Sequence, residues 1–178
     1  VGLFPKFEEQ EIEDRGDSRI FRDASGVVCQ AWKGRSNIPH YIDFTLKTPA
    51  DWEAHYKWRL QPDPRRLGDP AQLEAACARA QASGLPIAFG TGSLMGWIRD
   101  WMGVEQFSVL PYMDPALYEA ILEHMTDFFI QVYGPIVERV RFDFVYFFED
   151  CCFNHGPLLS PDIFERFYRK HYRRLTDF

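Results

Sequence analysis

Two short apolar segments constrain the fold of this chain more than any other feature. Residues 85–89 read LPIAF and residues 144–148 read FVYFF, without alternation of polar and apolar side chains. Continuous apolar runs of this length are typical of parallel strands covered on both faces. Helical patterns lie between the two runs, so we expect a crossover connection, and such connections are right-handed. The sequence therefore predicts an α/β fold.

Four predicted helix starts share one pattern, a capping side chain followed by proline: Thr48-Pro49, Asp69-Pro70, Asp114-Pro115 and Ser160-Pro161. The side-chain oxygen accepts from an amide of the first turn, and proline at the first helical position has no N–H to leave unpaired. Apolar spacings of three and four residues then predict two buried helix faces. They are Leu117, Ile121, Met125, Phe128 and Val132 in one helix, and Phe164, Phe167, Tyr168, His171 and Leu175 in the other.

Composition and charge narrow the class of protein. The 178 residues include 20 Lys+Arg and 26 Asp+Glu, a formal net charge of -6, and 46% are hydrophobic. This is a globular composition, and its acidic balance argues against nucleic-acid binding, which needs a clustered cationic surface. No apolar run approaches the roughly 18 residues of a membrane span, and residues 1–20 lack a signal-peptide pattern. The cysteines are too few and too irregular for a disulfide framework, so we expect a cytoplasmic protein.

The predicted domain organisation has one boundary, after residue 66. Residues 1–66 form a lead-in with a short helix and a β-hairpin, in which residues 20–22 and 27–29 flank a turn. Residues 67–178 form a partial (β/α)8 TIM barrel, because two strands cannot close a sheet and a whole barrel takes about 250 residues. We expect this chain to be a piece, roughly the middle, of a longer barrel.

Two segments are the candidate site, because active-site groups of such barrels follow the carboxyl ends of the strands. The first, residues 90–97, reads GTGSLMGW and opens a helix, so its amides are candidate anion ligands. The alternative is that its glycines only permit a tight turn. From this segment we select Gly92, Ser93 and Trp97 as candidate substrate-binding residues.

The second segment, residues 149–157, begins with two adjacent carboxylates. Placing two carboxylates directly after a buried strand costs free energy unless the carboxylates have hydrogen-bonding or ionic partners or act at a functional site. Successive residues leaving a strand point to opposite sides, so we predict that Asp150 enters the cavity as the catalytic carboxylate and that Glu149 faces a structural cation. The alternative is that both acids are hydrogen-bond acceptors and caps of the loop. We select His155 as a further substrate-binding residue.

A metal site is not predicted from the cysteines and histidine of the second segment. Cys151 and Cys152 are adjacent, whereas zinc sites separate paired ligands by at least two residues. A Cys–His nucleophile pair would need a base that only the fold can bring near. The cationic face of the last helix is predicted to be solvated, with a phosphate or carboxylate site as the alternative. Its residues are Arg166, Arg169, Lys170, Arg173 and Arg174.

In their order, these motifs resemble the uroporphyrinogen decarboxylase superfamily. The resemblance lies in the strand before GTGSLMGW at 90–97, in Asp114-Pro115 opening a long helix, in FFED at 147–150 and in GPLLSP at 156–161. The lead-in looks like a divergent, decarboxylase-like branch. The resemblance implies a (β/α)8 barrel with a deep cleft and no cofactor. It also implies an enzyme that removes CO2 from carboxylate side chains of a tetrapyrrole or a related small molecule.

Two positions depart from the decarboxylase pattern. The resemblance places Trp97 where the decarboxylases have a substrate-contacting tyrosine, and Asp150 where they have a serine that reaches a substrate carboxylate. We expect Trp97 to stack on the ring and Asp150 to stabilise a cationic intermediate near the ring nitrogens. Arg99 and Arg174 are further candidates for holding substrate carboxylates, with surface placement as the alternative.

Two alternative functions remain open at this stage. One is a corrinoid-linked zinc methyltransferase of the same superfamily, whose metal ligands would lie outside this chain. The other is a non-catalytic tetrapyrrole or corrinoid binder. The partner predictions are a small-molecule substrate, neither nucleic acid nor membrane, and a homodimer of the full-length protein.

Overall fold

The computed structural model describes residues 2–178, which divide into two compact units. One unit comprises residues 2, 61–95 and 119–178, and the other comprises residues 3–60 and 96–118. This division is discontinuous along the chain, whereas the sequence predicts a single boundary after residue 66. Each unit contains both helices and strands, so the mixed α/β class is confirmed.

A four-stranded antiparallel sheet forms the β-structure of the unit built from residues 3–60 and 96–118. Its strands are β1 (Gln10–Asp14), β2 (Ser18–Arg22), β3 (Val28–Trp32) and β4 (His40–Asp43), in the order β1-β2-β3-β4. The register of β2 and β3 pairs Phe21 with Cys29, which confirms the predicted hairpin. The lead-in is nevertheless more regular than predicted. The residues of β1 are exposed throughout, so no apolar alternation marks it in the sequence.

The helices of this unit pack around buried aromatic rings. Helix α1 (Pro49–Asp51) starts at a Thr48–Asp51 capping box and continues through a π-helical turn (Trp52–Tyr56) and a 3-10 turn (Lys57–Arg59). The unit also holds most of α3 (Met95–Met102) and all of α4 (Val104–Met113). The Tyr56 and Trp101 ring centroids lie 5.2 Å apart, and both residues are buried. Trp101 therefore belongs to the core of this unit.

The other unit, built from residues 2, 61–95 and 119–178, contains the two predicted parallel strands. Its elements, after a 3-10 turn (Pro64–Leu67), are α2 (Pro70–Ala82), β5 (Ala88–Gly90), most of α5 (Pro115–Val137), β6 (Phe144–Tyr146), β7 (Cys152–Phe153), β8 (Gly156–Pro157), α6 (Pro161–Ile163), a π-helical turn (Phe164–Tyr168) and α7 (Arg169–Asp177). The predicted apolar stripe of α5 is buried at all five positions. Within residues 2–178, no helix combines the length and apolar character that crossing a bilayer requires.

The predicted caps hold the helix starts of both units. The side chains of Asp69, Asp114 and Ser160 accept hydrogen bonds from backbone amides two or three residues later, at 3.0, 2.9 and 3.3 Å. Helix α2 starts at the predicted cap, yet none of its residues is buried. Capping chemistry therefore predicts where a helix starts without predicting how deeply that helix packs.

Strands β5 and β6 pair in parallel, as predicted, with Phe89 opposite Val145. Their predicted burial on both faces is wrong for this chain. Phe89 makes an edge-on contact with Tyr133 of α5 at a centroid distance of 4.9 Å, whereas Phe144 and Tyr146 are each 52% exposed. The reason is that the sheet has only two strands and alternate residues face opposite sides. Among residues 2–178 no sheet is closed into a barrel.

Candidate functional site at the carboxyl ends of the parallel strands

The carboxyl ends of β5 and β6 lie side by side, so the two predicted site segments leave the sheet at one edge. Gly90 is the register partner of Tyr146, and the Thr91 amide continues the pairing by donating to the Tyr146 carbonyl at 3.2 Å. A Cβ atom at Gly90 would lie 2.6 Å from the Tyr146 hydroxyl, so a larger residue there would require the Tyr146 side chain to move. We call the segments 91–95 and 147–150 the strand exits.

Glu149 joins the two strand exits through its side chain. The carboxylate accepts hydrogen bonds from the Ser93 hydroxyl, from the amide of Leu94 at 2.7 Å and from the amide of Met95 at 3.1 Å. A fourth donor is the Tyr172 hydroxyl, 2.6 Å from Oε1. Four donors on one carboxylate offset the cost of its partial removal from water.

The amides at the start of α3 therefore hold an anion, as the glycine-rich segment predicts, and this anion is the chain's own Glu149. The positive end of the helix dipole and the unpaired first-turn amides favour a carboxylate at this position. Of the two roles weighed for Glu149 from the sequence, the structure shows acceptor and helix cap. Ser93 lies only 7% exposed beneath this carboxylate.

Aromatic packing fixes the Tyr172 hydroxyl against Glu149. The Tyr172 ring meets Phe147 edge-on at 5.1 Å and stacks with Phe164 at 5.9 Å and Tyr168 at 6.1 Å, all measured between ring centroids. Tyr172 follows the predicted stripe residue His171 but does not belong to that stripe. No spacing rule connects it with a carboxylate 23 residues earlier in the chain, so sequence reasoning missed it.

Gly92 is also hydrogen bonded within the chain. It is buried, and its carbonyl accepts a hydrogen bond from the Thr91 hydroxyl at 2.9 Å. Burial raises the pKa of Tyr133 in α5, and the nearby backbone of Gly92 partly opposes the increase. The groups predicted to bind substrate at Gly92 and Ser93 thus have partners inside the chain, and both residues help to shape the strand exits.

Asp150 and His155 are exposed, unlike Ser93. Asp150 directly follows Glu149 and is the last residue of its strand exit. His155 lies in the turn between β7 and β8, where its ring meets Phe153 edge-on at a centroid distance of 5.9 Å. Among the predicted site residues of this unit, Asp150 is the exposed acid at the edge.

Trp97 belongs to the other unit, where it is partly buried. Its ring centroid lies 6.0 Å from that of Trp101. Stacking of Trp97 on a substrate ring therefore stays a prediction.

An apolar cleft of about 280 Å³ lies on the helix-facing side of β5 and β6. Its walls come mainly from the two strands, α5 and the last residues of the chain, among them Phe89, Tyr133, Phe142, Val145, Leu175 and Phe178. The side chains of Phe89 and Val145 line this cleft on the helix-facing side of the sheet. The cleft is thus part of the packing between sheet and helices, and at Thr91 it reaches the first strand exit.

A buried histidine lies between two carboxylates where α5 packs on α7. His171 places Nε2 3.3 Å from Oε1 of Glu119 and Nδ1 3.8 Å from Oε2 of Glu123, while the Thr126 hydroxyl lies 3.0 Å from Nδ1. Burial lowers the pKa of His171, although both carboxylates act in the opposite direction.

These three side chains could each offer one ligand atom to a metal ion, within 4.8 Å of one another. Their carboxylates are already engaged by cations, because Glu119 pairs with Lys170 and Glu123 pairs with Arg174 at 2.5 Å. The cluster is therefore explained as an ion-pair network that joins two helices.

The cationic face of the last helix is largely paired with acids. Arg174 bonds Glu123 and Asp127, each at 2.5 Å, and Arg169 pairs with Glu165 at 2.6 Å. These contacts explain the positive charges without a bound phosphate. Arg174, considered as a carboxylate ligand, is committed to acids of its own chain.

Comparison with family models, with curated proteins and with solved structures yields no match for this chain. Function is therefore inferred from the geometry of the strand exits and from the motifs that they contain.

Proposed function

We propose that this chain carries part of a small-molecule site of the uroporphyrinogen decarboxylase type, at the edge where β5 and β6 end. In this proposal the two strands and the helices between them are neighbouring units of a (β/α)8 barrel. Their parallel register supports this assignment. So does the sidedness of the strands, since Phe89 packs on α5 while Tyr146, 52% exposed, faces the open side, where a barrel would have its interior.

One observation carries the proposal: Glu149 ties both strand exits together. Its carboxylate bonds Ser93 and the first amides of α3, which fixes the next residue at the carboxyl edge with its side chain exposed. Glu149 is then a positioning residue, and Asp150 is the acid that faces substrate. Catalytic groups held by packed and hydrogen-bonded neighbours are placed more accurately than groups on a free loop.

The chemistry proposed for Asp150 is electrostatic. Decarboxylation of a pyrrole side chain begins when a ring carbon takes a proton from water, which leaves positive charge on the pyrrole. Loss of CO2 then gives a neutral exocyclic methylene. This methylene takes a proton from water to become a methyl group, and the ring carbon returns its added proton to water, so that the pyrrole is restored. A fixed carboxylate near the ring nitrogens stabilises that positive charge more than it stabilises the neutral ground state. This role needs no cofactor.

Because a part of the barrel is expected to be inactive alone, the test is turnover of a polycarboxylated porphyrinogen by the full-length protein, followed by mass analysis of the products for successive loss of CO2. We expect Asp150→Asn to lower the rate at least about 100-fold, the usual effect of removing one preorganised electrostatic group. The matched control is Asp17→Asn, which changes an exposed aspartate in the β1–β2 turn and should leave the rate unchanged.

Two results would overturn the proposal in different ways. If the full-length protein that contains this chain neither shifts the visible absorbance of uroporphyrin nor produces CO2, a tetrapyrrole is not its substrate. If Asp150→Asn turns over as fast as the wild type, the substrate class stands and the role of Asp150 is wrong.

A further inference from the structure

Two cysteines with neighbouring sulfur atoms directly follow Asp150. The Sγ atoms of Cys151 and Cys152 lie 3.8 Å apart, and both residues are solvent-accessible free thiols. Their backbone is held on both sides. The Cys151 carbonyl accepts from the Leu158 amide at 2.8 Å, and Cys152 is paired with Pro157 in the β7–β8 hairpin. The structure thus presents two accessible thiols together at the start of the β7–β8 hairpin.

We propose that Cys151 and Cys152 act as one redox-active dithiol, a modification site that closes to a disulfide on reaction with a small-molecule disulfide. Closure requires the sulfur separation to fall from 3.8 Å to about 2.05 Å, which side-chain rotation and a local change of the shared peptide can provide. This inference concerns the thiols alone and does not depend on the proposed function.

The covalent geometry of adjacent residues makes this disulfide easy to reduce. Neighbouring Cα atoms are about 3.8 Å apart, closer than the roughly 4.4–6.8 Å that most disulfides span. A bond formed under that constraint is strained, and strained, exposed disulfides are the labile ones. We therefore expect a reversible modification and not a structural crosslink.

The reaction proceeds by two thiol–disulfide exchanges. The thiolate of Cys152, the more exposed residue, attacks a sulfur of glutathione disulfide; a mixed disulfide forms and one glutathione thiolate leaves. The Cys151 thiolate then attacks the Cys152 sulfur, the protein disulfide forms and the second glutathione thiolate leaves. Two cysteine thiols are oxidised, one glutathione disulfide is reduced to two thiols, and the two cysteine protons pass to these products through water.

The other two cysteines provide the reference. Cys29 is buried, and burial raises the pKa of its thiol to about 11, so it stays protonated and unreactive near neutral pH. Cys77 lies partly exposed on α2 and would react singly, so the experiment uses Cys77→Ser as its background. Burial also raises the pKa of Cys151, which agrees with Cys152 reacting first.

The experiment treats the Cys77→Ser protein with glutathione disulfide and measures the intact mass. We expect the mass to fall by two hydrogens with no glutathione attached, two titratable thiols to be lost, and both to return on reduction. Adding Cys151→Ser should instead leave one glutathione on Cys152, because the resolving thiol is gone. Adding Cys152→Ser should abolish the two-hydrogen loss.

Two outcomes would contradict a single dithiol. One is a product that carries glutathione on both cysteines of the same chain, which would show independent thiols. The other is an unchanged mass after treatment, which would show that neither sulfur reacts. Cys151→Ser and Cys152→Ser both lie at accessible positions. Circular dichroism establishes that each variant is folded before its mass is interpreted.

Discussion

At the scale of the residue, Glu149 and Asp150 show that surroundings, and not residue type, decide what an acid does. Glu149 accepts four hydrogen bonds from groups 23 to 56 residues away, including the first amides of α3. Asp150, its neighbour, is exposed at the edge of the sheet. The alternation of side chains at a strand end separates the two acids, and only the fold brings Ser93 and Tyr172 to Glu149.

The bond between Tyr172 and Glu149 predicts a measurable coupling. We expect Tyr172→Phe, which removes the hydroxyl and keeps the ring, to lower the free energy of unfolding by about 1 kcal/mol, and Glu149→Gln to lower it by about 2–3 kcal/mol. Glu149→Gln lowers the free energy of unfolding more than Tyr172→Phe does, because an uncharged amide replaces a carboxylate that accepts from four donors. In a double-mutant cycle by denaturant unfolding, the coupling should be about 1 kcal/mol.

Glu138→Gln is the matched control for this cycle, because Glu138 is exposed just after α5 ends. We expect it to change the free energy of unfolding by less than about 0.5 kcal/mol. Additive effects of Tyr172→Phe and Glu149→Gln would mean that the hydroxyl and the carboxylate do not stabilise each other.

At the scale of the element, local chemistry predicted the helix starts well and the sheet edges poorly. All four proline-associated caps form, because capping depends on residues within one turn of each other. Parallel pairing of β5 and β6 was also predictable, since both are short apolar runs. Strand β1 escaped prediction because its five residues are exposed and carry no apolar alternation.

The candidate site was only partly predictable, because its hydrogen bonds join residues that are far apart in the sequence. The sequence selected the strand exits, because both follow apolar runs. It did not join Glu149 to Ser93, 56 residues away, or to Tyr172 on α7. Hydrogen bonds of that kind depend on where packing brings the elements, and no local pattern records this.

The packing of α5 on α7 predicts a dependence of stability on pH. His171 faces Thr126, Glu119 and Glu123, with Lys170 beside it, and burial lowers its pKa in the folded state. The unfolded chain therefore binds more protons than the folded chain below about pH 6.5, and stability falls as the pH decreases through this region. The loss is about 1.4 kcal/mol for each unit by which folding lowers the pKa.

Unfolding free energies measured between about pH 7.5 and pH 5.5 test this expectation. His171→Asn should be less stable than the wild type at the upper pH and should show a flatter profile. His155→Asn, at an exposed turn, is the matched control and should keep the wild-type slope. A wild-type slope in His171→Asn would mean that another group is responsible.

At the scale of the whole molecule, an exposed apolar face coexists with a net negative charge. Phe144 and Tyr146 are each 52% exposed on β6, and Phe148 just beyond is 79% exposed. Apolar groups clustered in this way favour contact with other apolar surfaces. The net charge of -6 opposes association between copies of the chain, and dissolved salt screens that repulsion.

The balance between these two forces predicts self-association that increases with salt. In sedimentation velocity, wild-type protein should show a larger associated fraction at about 0.5 M salt than at low salt, because repulsion is screened while the apolar contact is retained. The double variant Phe144→Thr/Phe148→Thr should lower the association constant at least about 10-fold, since burying one phenylalanine is worth about 1.5–3 kcal/mol.

Ile38→Thr, at a position 78% exposed on the other unit, is the matched control. Association of the double variant equal to that of the wild type would show that β6 is not the contact surface. Association that decreases with salt would show that charge attraction, and not the apolar face of β6, drives the association.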